Sequence, residues 1–255
     1  MKRILSPLLL LLIFFLPATL MADTYVVAVG ICQYRYIKGL RQTENDARYI
    51  ASLYQSRAAT VVTLFGSQAT HLNVISTMRS HFSKARSTDT VVFFFSGHGS
   101  KCGICAYDTQ SAATSISYAE IAQVLKGCQA DNKQLYIDAC YSGGLRLETN
   151  SGSMSSVQYA FADTEGVMLF LSSRSGETSQ ENPYGANSQF TKYLLRGLKG
   201  GADANKNRIV EARELFNFVS DKVARATKGK QHPVMWGRFN NAMHLMNWNE
   251  LQKQR

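Results

Sequence analysis

The chain has 255 residues, 45% of them hydrophobic, and a formal net charge of +10 at neutral pH. That length and apolar share suit one large globular domain able to bury a substantial core. A basic balance raises nucleic acid or an anionic surface as a partner, but the sequence holds no nucleic-acid motif and no dense basic run, so no nucleic-acid partner is expected and the charge reads as a solvated surface.

At the N-terminus, Lys2 and Arg3 precede the apolar run Leu8–Leu16, and small residues follow near Ala18 and Ala22. This is the grammar of a secretory signal, with cleavage expected just after Ala22. The competing reading is an uncleaved anchor. The run is short against the roughly 20 residues a bilayer span needs, and Pro17 interrupts it. Residues 1–22 are therefore expected to be removed, leaving residues 23–255 as a single exported domain, periplasmic or secreted, without a lasting membrane anchor. Loss of Lys2 and Arg3 lowers the charge to +8.

From Tyr25 onward, apolar β-favouring runs alternate with segments of helical period. Strands are expected at Tyr25–Gly30, Thr60–Phe65, Thr90–Phe95, Lys133–Asp138 and Gly166–Ser172, with a short last one near Ala242–Met246. Helices are expected at Thr43–Ser56, His71–Ala85, Ser117–Lys126, Ser188–Leu198 and Ala212–Ala226, with Asn45-Asp46 and Ser117 as polar helix-start residues. Such alternation predicts an α/β fold, a mostly parallel sheet with helices on both faces. Glu148–Ser156, rich in Ser, Gly and Asn, reads as a flexible loop.

Two of these strands end in reactive residues. Val91–Phe95 breaks at Ser96-Gly97-His98-Gly99, and Leu135–Ile137 leads through Asp138-Ala139 to Cys140 and the turn Ser142-Gly143-Gly144. If the two are neighbours in a parallel sheet, a thiol and an imidazole meet at its C-terminal edge, where open α/β sheets place ligands. FFFSGHGS and YIDACYSGG closely resemble the two catalytic motifs of the caspase–metacaspase family of cysteine peptidases. The stretch from Val27 through Asp46 and Ala47, ending in ENDA, is similar to that family's first strand and the segment after it. Ser172–Ser179 and Gln189–Gly200 resemble later family segments.

The resemblance implies a caspase-hemoglobinase-like fold and an endopeptidase acting through a Cys140/His98 dyad. Cys140 would attack the scissile carbonyl, His98 would protonate the leaving amine, and the N–H groups of Gly99 and Cys140 would hold the oxyanion. No third side chain and no cofactor are required for the chemistry. In the metacaspase pattern, acidic groups hold a P1 Arg or Lys, and here they correspond to Asp46 and Asp138, with Ser96 as a polar companion. The plainer reading makes Asp46 a helix cap and Asp138 an acceptor of backbone N–H groups. No arginine stands near the histidine or the nucleophile, which argues against a P1 aspartate. Many family members are cut between the two halves of the fold, and Arg146, the only basic residue from Cys140 to Phe161, is the expected autocleavage point.

Asp203–Glu214 (DANKNRIVEARE) has the spacing of a calcium-binding EF-hand loop. Asp203, Asn205 and Asn207 stand at positions 1, 3 and 5, Ile209 at 7, Glu211 at 9 and Glu214 at 12. Arg208 occupies position 6, where glycine normally makes the sharp turn, and brings positive charge. A polar connection between helices is the alternative. Cys102 and Cys105 form either a local disulfide or two free thiols, and no further Cys pair or His cluster supports zinc. Three functions remain: a peptidase cleaving proteins or peptides after Arg or Lys, a catalytically silent caspase-like binding module with a structural calcium loop, and a legumain-like Asn-specific peptidase. The ENDA and DACYSGG motifs favour the first. Oligomeric state is not legible.

Overall fold

The computed structural model describes residues 22–100, 102–140, 158–174, 176–177, 179–180, 182 and 185–249, Cys140 by its backbone. The expected signal segment up to Met21, Arg146 and the Glu148–Ser156 stretch lie outside the described residues. The elements are β1 (Thr24–Gly30), α1 (Thr43–Gln55), β2 (Thr60–Phe65), α2 (His71–Phe82), β3 (Thr90–Ser100), β4 (Gly103–Ile104), β5 (Ile116–Ser117) and α3 (Tyr118–Lys126). They continue with β6 (Asn132–Cys140), β7 (Val167–Leu171), α4 (Gln189–Arg196), β8 (Ile209–Glu211), α5 (Ala212–Ala226), β9 (Val234–Trp236) and β10 (His244–Asn247).

The main sheet runs β2-β1-β3-β6-β7-β9. Its first five strands are parallel, and β9 closes the edge antiparallel to β7. Side chains alternate across it, as the two-residue period of a strand requires. Val27, Val29, Phe93, Phe95, Leu135 and Ile137 face one side with Val74, Met78 and Phe82 of α2 and Ile121 and Leu125 of α3. Val26, Ala28, Val92, Phe94, Tyr136 and Phe170 face the other with Ile50 of α1, Leu194 of α4 and Val219 of α5. Burial on both faces explains why these strands read as continuous apolar runs. The mixed, mostly parallel sheet flanked by helices is the expected architecture.

Four local readings change. The Ser96-Gly97-His98-Gly99 segment does not break its strand: β3 continues to Ser100, its end pairing antiparallel with β4. The expected last strand near Ala242–Met246 exists as β10, but it pairs with β8 and stays outside the main sheet. The strand that closes the sheet, β9, is only three residues long and follows Pro233, too short to show a period. Asn45 and Asp46 lie inside the first turn of α1 instead of capping it, whereas Ser117 does cap α3, exchanging hydrogen bonds with Glu120 as a capping box.

Candidate active site

The sheet register brings the two reactive strands together. β3 and β6 pair in parallel, with Ser96 opposite Asp138 and His98 opposite Cys140. Both residues of the expected dyad thus stand side by side at the C-terminal edge. His98 is nearly buried, at 9% exposure. Its Nε2 lies 2.8 Å from the Lys38 carbonyl oxygen. A carbonyl only accepts, so this nitrogen carries a proton, which leaves Nδ1 as the ring atom turned from that loop.

The loop after β1 folds back to supply that carbonyl, held by Leu40 N–H on the Cys32 carbonyl and Arg35 N–H on the Tyr107 carbonyl. From the same loop, the buried Tyr34 hydroxyl accepts the His98 backbone N–H at 2.7 Å, and its ring tilts against the imidazole at 5.0 Å between centroids. Burial pushes the Tyr34 phenol well above its ordinary range, so it stays neutral. Gly97 makes this approach possible: a Cβ there would lie 2.4 Å from the Tyr34 hydroxyl. Neither Tyr34 nor the Lys38 carbonyl was legible in the sequence, because both act through a loop of no regular period.

Gly99 pairs with Ile104 of β4, and the flanking hydrogen bond runs from Cys105 N–H to the His98 carbonyl. Gly99 and Ile104 are therefore a pair that exchanges no hydrogen bonds, and the Gly99 N–H is directed to the β6 side, where Cys140 ends its strand.

Asp46 and Asp138 are both buried, at 0% and 4% exposure, on the same sheet edge. Gly30, at the end of β1, lets α1 approach closely, since a Cβ there would meet the Thr43 carbonyl at 2.5 Å. Gly30 also pairs with Ser96, so the first turn of α1 sets Asp46 above Ser96. Asp46 accepts from Ser96 Oγ at 2.9 Å, and from Asn187 Nδ2 and the Ser188 backbone N–H at 3.0 Å each. Asp138 accepts from Ser179 Oγ and Thr191 Oγ1, both at 2.7 Å, and from Ser188 Oγ. Ser188, the N-cap of α4, touches both carboxylates. Among the described residues neither acid is ion-paired. Burial, and then the Asp138 charge, push the Asp46 carboxyl up to about 8, against the pull of its Asn187, Ser96 and Ser188 hydrogen bonds. Such a site is short of one positive charge. Four more residues join Asp46, Ser96 and Asp138: Ser179 and Thr191 fall within the segments that resemble the family and Ser188 opens an expected helix, but none of them, nor Asn187, was expected to touch the carboxylates.

A model of the caspase domain matches residues 24–242. The chain belongs to the caspase-domain family. Cysteine-peptidase chemistry on protein substrates follows at the level of that family. No curated protein matches the sequence. Among solved structures, the caspase domain described here is similar to the crystal structure of protein GSU0716 from Geobacter sulfurreducens. The two are 18% identical with a TM-score of 0.66 over 88% of this chain and 97% of the other, a likeness of fold.

The remaining candidates are the Asp203–Glu214 loop and the other cysteines. In Asp203–Glu214, Arg208 takes the left-handed backbone that glycine would supply, with φ of 66°, and Lys206 does the same at 60°. Asp203 accepts from Asn207 N–H (3.2 Å) and Arg208 N–H (2.9 Å); Glu214 accepts from Ala204 and Asn205 N–H across the loop. Asn205 and Asn207 oxygens accept from the N–H groups of Asn207 and Ile209, and Ile209–Glu211 form β8. Among the described residues no group of three or more His, Cys, Asp or Glu side chains is placed to hold a metal ion. Cys102 and Cys105 are free thiols, as are Cys32 and Cys128, and burial pushes the Cys105 thiol up to about 12.

Proposed function

We propose that this caspase-domain protein is an exported cysteine endopeptidase that cleaves after Arg or Lys. One observation carries the reading: two buried carboxyl groups, neither ion-paired among the described residues, on the sheet edge where His98 and Cys140 stand in register. The cation such a pair lacks is what a P1 guanidinium or ammonium would bring, and charge-assisted hydrogen bonds favour it in a desolvated pocket. Ser96, opposite Asp138 in the register and bonded through its hydroxyl to Asp46, adds a neutral polar group.

In the proposed reaction His98 takes the Cys140 proton on Nδ1, while Nε2–H stays on the Lys38 carbonyl and holds the ring. The thiolate adds to the scissile carbonyl, and the N–H groups of Gly99 and Cys140 receive the developing oxyanion. His98 then returns its proton to the leaving amine, the C–N bond breaks, and water hydrolyses the thioester. The same reading gives Asp203–Glu214 a weak calcium site built on Asp203, Glu211, Glu214, the Asn205 and Asn207 amide oxygens and the Ile209 carbonyl. Support is the turn at Arg208, which forms without glycine.

The test is a P1 profile from a mixed peptide library, paired with labelling by a thiol-directed inhibitor ending in Arg. Cleavage after Arg and Lys and labelling of Cys140 are expected. A profile led by Asn would move the chain to the legumain-like reading. Absence of both turnover and labelling would leave a binding module.

A further inference from the structure

The segment after β7 carries Ser179 and Ser188 onto the carboxylates, and one residue far along the chain holds it. Gln231, between α5 and β9, is fully buried. Its Oε1 accepts the Gln180 N–H at 2.9 Å; its Nε2 donates to the Ser172 carbonyl at 2.9 Å and to Ser179 Oγ at 3.2 Å. The orientation of this amide is dictated by its partners, because an N–H only donates and a carbonyl only accepts. Ser179 therefore receives a hydrogen bond from Gln231, which occupies an oxygen lone pair. The hydroxyl proton is left for Asp138 Oδ1, 2.7 Å away. Gln231 is itself fixed by its backbone N–H on Thr227 Oγ1 (3.1 Å), and the next residue, His232, grips Glu177 through N–H and Nδ1, each at 2.7 Å.

We infer that Gln231 is a positioning residue for substrate specificity: through Ser179 it sets the orientation of Asp138 and so the fit of a basic P1 side chain. The inference rests on the reading of Asp46 and Asp138 as the P1 pocket. Gln231 bonds Gln180, Ser172, Ser179 and Thr227, and acts on the pocket through Ser179.

The experiment compares Gln231→Ala, Gln231→Glu, Ser179→Ala and the Ser179→Ala/Gln231→Ala double variant. It measures KM and kcat on P1-Arg and P1-Lys peptides, and the rate of Cys140 alkylation by iodoacetamide, which carries no P1 group. Loss of one hydrogen bond in a charged buried site predicts about a tenfold rise in KM for Gln231→Ala, with kcat and alkylation nearly unchanged. The double variant should be no worse than Ser179→Ala, since one residue acts through the other. Gln231→Glu keeps the volume and the acceptor for Gln180 but offers Ser179 an acceptor in place of a donor. It should lose at least as much, and it carries the test if the alanine variant fails to fold. Wild-type KM in Gln231→Ala, losses that multiply in the double variant, or alkylation slowed in step with turnover would each overturn the inference. Failure of the basic-P1 reading shows instead in the wild-type profile. In that event the Ser179–Gln231 coupling is measured on the preferred P1 residue.

Discussion

Asp46 sits fully buried against Asp138, and its carboxyl is pushed up to about 8 by burial and by that neighbouring charge. A raised folded-state value in an acid means that the protonated form stabilises the fold. The contribution is complete below the unfolded value near 4 and is lost as pH rises toward 8. Thermal stability should therefore decline from about pH 5 to pH 8, and Asp46→Asn should flatten that decline and raise Tm at pH 8. On activity the sign reverses. Cation binding needs the ionised pair, so kcat/KM on P1-Arg peptides should climb over the same window. Asp46→Asn or Asp138→Asn should lower it by orders of magnitude, since a buried pair deprived of one partner loses roughly 3–5 kcal/mol. A Tm profile indifferent to Asp46→Asn, or wild-type turnover by both variants, would remove the coupled pocket. For the dyad, Cys140→Ala should abolish hydrolysis and leave Tm nearly unaltered; substantial turnover by that variant would falsify the assignment.

Two elements depend on local backbone. The strand β3 passes its reactive residue through Gly97, whose missing side chain leaves room for Tyr34 on the His98 N–H. Gly97→Ala should cost about 1–3 kcal/mol by overpacking and should slow iodoacetamide labelling of Cys140 as the imidazole loses its support. Labelling at the wild-type rate would show that Tyr34 is dispensable to the ring. In the Asp203–Glu214 loop, Arg208 occupies a left-handed backbone at a cost of about 1 kcal/mol. Arg208→Gly should raise Tm and, by removing a positive charge, strengthen any calcium response. Millimolar calcium should raise the wild-type Tm slightly and Glu214→Gln should erase the shift. A Tm blind to calcium in both wild type and Arg208→Gly would leave the loop a connector.

For the whole molecule, the proposed specificity and the position of Arg146, six residues beyond Cys140, predict self-cleavage. Purified protein should acquire a new N-terminus at Leu147, absent from Cys140→Ala and from Arg146→Ala. A fully active, intact chain would exclude this route of activation. The same N-terminal sequencing, on protein recovered after export, tests the other processing step, with Asp23 as the expected first residue.

How much of this was legible follows from which forces act locally. Strands buried on both faces must be continuous apolar runs, so β1, β3, β6 and β7 and their order along the chain could be read directly. Cys140, His98, Ser96 and Asp138 could be proposed because they stand at the ends of such runs, and Asp46 because it lies in the ENDA segment at the start of α1, each in a motif with a known resemblance. The sequence had no means of ending β3 after Ser100 instead of before Ser96, since that depends on β4 arriving from the other side. It gave no sign of β9, three residues whose pairing is supplied wholly by β7. Ser179, Asn187 and Thr191 become pocket residues only when α4 docks against β6, and Gln231 only when the turn before β9 packs on the segment after β7. Hydrogen bonds across 41 to 53 residues leave no periodicity behind. The proposed chemistry is therefore written in short local motifs, and the arrangement around those residues was decided by long-range packing.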